Sequence, residues 1–178
     1  DVRSLSRDLG VPAVGVTAYA VDSAIKNKIA PILILEPMDA PVDFNNNAVD
    51  FYSLGYGYAK KMATQYKGKV KYYQLSNEVS GTTAWKAGDS GEQLTNRFNL
   101  KYNKNRYVNL RDYLIGMSEG VSDVDPATKK IISGHWVLVD VIKYLIKDGV
   151  NFDIVGWDWY SDMGDNVHNK TTDEGYVL

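Results

Sequence analysis

Cysteine is absent from this chain, so it forms neither a disulfide nor a cysteine-ligated metal site. The absence does not by itself separate an oxidising compartment from a reducing one. Histidine is nearly absent: His135 and His168 are the only two, and no HExxH spacing places a pair on one helical turn. A metal centre is therefore a poor reading, and no cofactor is expected. A basic excess is lacking as well, with 20 Lys+Arg against 22 Asp+Glu and a formal net charge of -2. Nothing in that balance attracts a polyanion, so no nucleic-acid partner is expected. No apolar run is long enough to span a membrane. No strand-to-helix junction carries GxGxxG or a Walker A motif, which weakens a nucleotide-binding reading. The chain starts at Asp1 without methionine or a secretory h-region, and since signal peptides are removed from mature chains that absence decides nothing about location. A secreted or periplasmic location is expected over a cytoplasmic one. No repeat, low-complexity tract or linker divides the sequence, so residues 1–178 are read as one domain.

What the chain does have is apolar and aromatic surface. Hydrophobic residues make up 44% of its 178 positions, enough for one sizeable core. Thirteen tyrosines and four tryptophans stand out, because aromatic faces stack on sugar rings, although most buried aromatics are simply core. Val14-Gly15-Val16 reads as a short strand. Ala18 to Lys28 fits a helix, with Val21 and Ile25 one turn apart. Ile29 to Glu36, IAPILILE, is apolar on both faces and so suggests a parallel strand covered on both sides. Ala48 to Tyr66 predicts a helix capped by Asn47, with a stripe of Phe51, Leu54, Tyr58, Met62 and Tyr66 and with Gly68 as its C′ residue. A long loop is expected from Val79 to about Val108, then a helix over Leu110 to Val121. Lys130 to His135 predicts a strand, Val137 to Asp148 a helix ended by Gly149, and Phe152 to Tyr160 a final strand. Strands alternating with helices imply a parallel sheet, either a (β/α)8 barrel or a doubly wound open sheet. In both, ligands bind at the C-terminal strand ends.

The stretch Val70 to Gly81, VKYYQLSNEVSG, organises the functional reading. It runs as a strand and ends abruptly in Ser76-Asn77-Glu78. An isolated Asn-Glu pair is ordinarily no more than the start of a polar loop. Here a carboxylate and an amide meet solvent at the end of a buried strand, which is the setting that glycosidic-bond cleavage uses. The other strands end in Glu36, in His135-Trp136 and in Asp158-Trp159-Tyr160, so four strands deliver polar or aromatic groups to one face. Each has a plainer reading: Glu36 as a solvated loop acid, His135 as a structural histidine, Trp157 and Trp159 as core facing the helices.

YYQLSNE after a Tyr-rich helix, then ISGHW, then FDIVGWDWYSDMG, resembles clan A of the (β/α)8 glycoside hydrolases, which includes cellulases, mannanases, arabinogalactanases and xylosidases. The resemblance covers roughly residues 18 to 165. It implies a retaining mechanism on an oligosaccharide or polysaccharide, with Glu78 as general acid/base and Asn77 as ligand of the sugar 2-hydroxyl. Glu36, His135, Trp136, Asp158 and Tyr160 become substrate-binding residues. Asp158 stands where the clan more often has histidine, while Tyr160 matches the clan's tyrosine. The strands ending in Glu36, Glu78, His135 and Tyr160 become strands three to six. The expected fold is thus an incomplete (β/α)8 TIM barrel, with strands two or three to six present. The clan's nucleophile closes strand seven, and no such strand is legible; Glu174 in TTDEGYVL resembles it only superficially, since too little helical sequence precedes it. The alternatives are a carbohydrate-binding barrel without a nucleophile and an unrelated α/β enzyme.

Overall fold

The computed structural model describes residues 13–36, 42–79, 100–135 and 139–158. In chain order its elements are α1 (Ala13–Lys26), β1 (Ile32–Leu35), α2 (Phe51–Tyr66), β2 (Tyr72–Leu75), α3 (Leu100–Val124), β3 (Lys129–His135), α4 (Val139–Lys147) and β4 (Ile154–Asp158). The four strands form one parallel sheet in the order β1-β2-β3-β4. A doubly wound sheet reverses its strand order partway; a barrel never does. Sequential order with crossovers of one hand puts every helix on the same side of the sheet.

Burial confirms which side that is. Leu33 and Leu35 of β1, Tyr73 and Leu75 of β2, and Ile132 of β3 are buried beneath the helices. They lie in register, because Leu33 pairs with Tyr73 and Tyr73 with Lys130. Lys130 shares this buried face, where its Nζ donates to Ser122 Oγ at 2.8 Å. Burial pulls the Lys130 ammonium below its ordinary pKa. The opposite face would line a barrel, and it is open at β1 and β4, where Ile32 is 55% exposed, Ile34 44% and Ile154 38%, while Ile131 and Ser133 of β3 are buried on it. The expectation that β1 is covered on both sides is therefore corrected. Covering Ile32 and Ile34 requires strands and side chains across a barrel interior, and none among the described residues reaches them.

The helix side is closed by the α2–α3 pair. Leu110, Leu114, Met117 and Val121 form the expected stripe, each fully buried. Tyr107, one turn earlier, is also buried and extends that stripe toward the N-terminus. This is why α3 begins at Leu100 rather than Leu110, inside the segment expected to be loop. On α2 the buried residues are Phe51, Gly55, Ala59, Ala63 and Tyr66, whereas Leu54 is 42% exposed. The expected stripe was rotated because the contact uses small residues. A methyl at Gly55 would land on the Tyr113 carbonyl oxygen, and one at Gly116 on the Tyr52 carbonyl oxygen. Two backbones this close exclude side chains from the seam.

Two further expectations are corrected. Val14-Gly15-Val16 lies in α1, not in a strand. The N-cap of α2 is Asp50, not Asn47: its carboxylate accepts from the Ser53 amide at 3.0 Å and from Ser53 Oγ at 2.7 Å. Those bonds hold the Asp50 carboxyl below the usual range. Asn47 Oδ1 instead accepts from Asn109 Nδ2 at 3.1 Å. Gly68 and Gly149 follow α2 and α4 with φ of 72° and 80°, the left-handed conformation expected of C′ glycines.

Candidate active site

Because all four strands run parallel, their C-terminal ends share one rim. Glu36 follows β1 directly and is exposed; Ser76-Asn77-Glu78 follows β2. His135 and Asp158 are the last residues of β3 and β4 and are register partners. The expected gathering of Glu36, Asn77, Glu78, His135 and Asp158 at one rim is thus present in the backbone. Trp136 and Tyr160, like Trp159 and Glu174, lie outside the described residues, and the side chains of His135 and Asp158 are not described.

The best-defined part of the rim is the end of β2. Asn77 and Glu78 are each half-buried, between Ser76 and a fully buried Val79. Ser76 and Glu78 have φ of 66° and 44°. Left-handed backbone is unfavourable for residues with a Cβ and persists only where surroundings hold it, commonly at functional sites. The hydrogen bonds that hold it can be named. Gln74 Nε2 lies 3.2 Å from the Ser76 carbonyl oxygen, 3.0 Å from Asn77 Oδ1 and 3.0 Å from Ser133 Oγ. Ser133 Oγ in turn accepts from the Glu78 amide at 2.8 Å. Ser133 is 1% exposed, on the inner face of β3 and in register with Gly156.

Sequence reasoning passed over Gln74 and Ser133. A signal was present: Gln74 is the polar residue inside YYQL and Ser133 follows the apolar Ile131-Ile132 pair of KKIISGH, both on the face that alternation gives to the interior. The alternation argument does succeed for Trp157, which packs partly buried against the core. Its indole lies against Gly134, its register partner, where a methyl would overlap the ring. The glycine of ISGH thus makes room for the tryptophan of GWDWY. Among the described residues no cluster of three or more His, Cys, Asp or Glu could hold a metal ion. No described helix is long and apolar enough to cross a membrane.

This architecture, a sequentially ordered parallel sheet with helices on one side and polar groups at the C-terminal rim, is that of a TIM barrel, and the chain forms part of one. No family model matches the sequence, and no curated protein does. Solved structures do match. The GH53 catalytic domain of Ignisphaera aggregans aligns with a TM-score of 0.52 and 18% identity, over 82% of this chain and 41% of that one. A mutant xylanase A of P fluorescens subsp. cellulosa, in complex with xylopentaose, aligns at 0.55 and 16%, over 81% and 44%. A GH10 endoxylanase retrieved from a sugarcane soil metagenome aligns at 0.50 and 19%, over 80% and 42%. The chain therefore spans less than half the length of these glycoside hydrolases, and its fold is that of an incomplete barrel of their kind.

Proposed function

We propose that this chain carries the acid/base half of a retaining glycoside hydrolase acting on an oligosaccharide or polysaccharide. The observation that carries the reading is the Asn77-Glu78 pair at the C-terminal end of β2, with Ser76 and Glu78 in left-handed backbone, on a fold shared with xylanases. In the proposed mechanism Glu78 protonates the leaving glycosidic oxygen. A second carboxylate, about 5–5.5 Å away, attacks the anomeric carbon and forms a glycosyl-enzyme intermediate. Glu78, now ionised, then takes a proton from the water that releases the sugar. Asn77 Oδ1 is engaged by Gln74, so its Nδ2 hydrogens are the ones to offer the sugar 2-hydroxyl. His135, Trp136, Asp158, Tyr160 and Glu36 are proposed to line the substrate cleft from the remaining strand ends. Residues 1–178 act as one domain in this reading, and the second carboxylate is supplied from outside the described residues.

The test is kinetic. In the full-length protein, Glu78→Ala should slow glycosides with poor leaving groups by about 10²–10⁴-fold, the usual contribution of general acid-base catalysis. Activated aryl glycosides should be affected far less at the protonation step. Azide should restore part of the turnover with activated substrates, because a small anion replaces the missing base. Equal loss on both substrate types without azide rescue would reject the assignment. Sugar binding with no turnover in the unaltered protein would favour a carbohydrate-binding barrel instead.

A further inference from the structure

We propose that Ser133 is a positioning residue that fixes the orientation of the Glu78 carboxyl from the neighbouring strand. This rests on Glu78 being the acid/base group. The turn after β2 has a left-handed residue on either side of Asn77, so its conformation is not set by local preference. One oxygen, Ser133 Oγ, reaches it by two routes. It accepts directly from the Glu78 amide at 2.8 Å, and it accepts at 3.0 Å from Gln74 Nε2. Gln74 passes the constraint to Asn77 Oδ1 and to the Ser76 carbonyl oxygen. The hydroxyl thereby couples both members of the Asn-Glu pair to β3. Ser133 is buried, so water cannot readily replace a lost hydroxyl. Removal of that hydroxyl frees the turn to relax out of its left-handed geometry, and the Glu78 carboxyl moves with it.

The experiment uses the full-length protein with Ser133→Ala, Ser133→Cys and Ser133→Thr. Hydrogen exchange in peptides spanning residues 76–79 should speed up about tenfold in S133A, while β3 keeps its protection. The kcat/KM of glycosides with poor leaving groups should fall about tenfold or more, while that of activated aryl glycosides, which reports only the step before the base is needed, should be nearly unaffected. S133T, which keeps the oxygen, should recover turnover. S133C preserves the shape with a weaker acceptor and should fall between wild type and S133A, so it decides the matter if S133A does not fold. Unchanged exchange at 76–79 in both S133A and S133C overturns the proposal. So does equal loss on both substrate classes, or a turnover in S133C equal to wild type. Should Glu78→Gln retain full activity, the acid/base reading fails, while faster exchange in S133A would still establish the clamp as a structural one.

Discussion

Two glycines one turn-half apart on α2 should respond in opposite directions to the same methyl group. Gly55 and Gly57 are both interior to the helix, and intrinsic propensity alone favours alanine at each by about 0.8–1 kcal/mol. Gly57 is exposed with nothing within 4 Å of an added Cβ, so Gly57→Ala should realise that gain. Gly55 faces α3, where the added carbon would meet the Tyr113 carbonyl oxygen, with the Tyr113 carbonyl carbon and Cδ2 each 3.0 Å away. The obstacle is mainly backbone within a helix, which cannot rotate aside as a side-chain tip can. Overpacking of this kind costs about 1–3 kcal/mol and occasionally more. The helix pair must separate, which would unseat Leu110, Leu114 and Met117 from the sheet. The cost exceeds the propensity gain, so Gly55→Ala should be destabilising by up to about 2 kcal/mol net. For a chain of this size each kcal/mol moves the melting temperature by roughly 2–4 °C. Thermal and urea melts of the two variants should therefore bracket the wild type. A Gly55→Ala protein as stable as Gly57→Ala would show that the two helices are not in backbone contact.

The remaining predictions concern pH and association. Burial pushes the Tyr73 phenol up to about 12, with Asp125 and Tyr66 adding to it, and burial likewise raises Tyr107 and Tyr113. The fold favours the neutral phenols, so their contribution is fully present below pH 10, where the unfolded chain starts to ionise, and is lost as pH rises toward 12. A spectrophotometric titration should show these tyrosines ionising only with unfolding; smooth titration near pH 10 with circular dichroism unchanged would refute this. The 178 residues studied alone should self-associate through the open inner face, and Ile32→Lys with Ile34→Lys should raise the monomer fraction in sedimentation. A wild-type chain that sediments as a monomer at high concentration would show that this face is covered.

The sequence made the helix side of the sheet legible and the inner side only partly so, for a physical reason. Residues such as Leu110, Leu114, Met117 and Val121 announce themselves by periodicity because their role is to be apolar at fixed spacing. The α2 seam was misread because close approach selects glycine and alanine, which carry little hydrophobic signal: Gly55, Ala59 and Ala63 are buried while Leu54 is not. The polar start of α3 reads as loop because KYNKNRYVN is dominated by Lys, Asn and Arg, although Tyr107 is buried and Val108 packs partly buried against the core. The end of β2 was legible because its apolar run breaks abruptly at Ser76-Asn77-Glu78. Ser133 and Gln74 were not, because their significance is a relation between two strands whose register no local pattern discloses.

That relation also bears on what the missing part of the barrel has to supply. On the proposed reading, the hydrogen bonds among Gln74, Ser76, Asn77, Glu78 and Ser133 tie the end of β2 to β3. The orientation of the acid/base group is then set before the barrel is completed, by the same adjacent strands that the buried helix-side core already holds together. Completion of the barrel would add two different things. It would cover Ile32, Ile34 and Ile154, lowering the local dielectric around the rim, and it would bring the second carboxylate opposite Glu78. On the proposed reading the proton donor is positioned by the pairing of adjacent strands, whereas the chemistry it would serve depends on residues across the barrel.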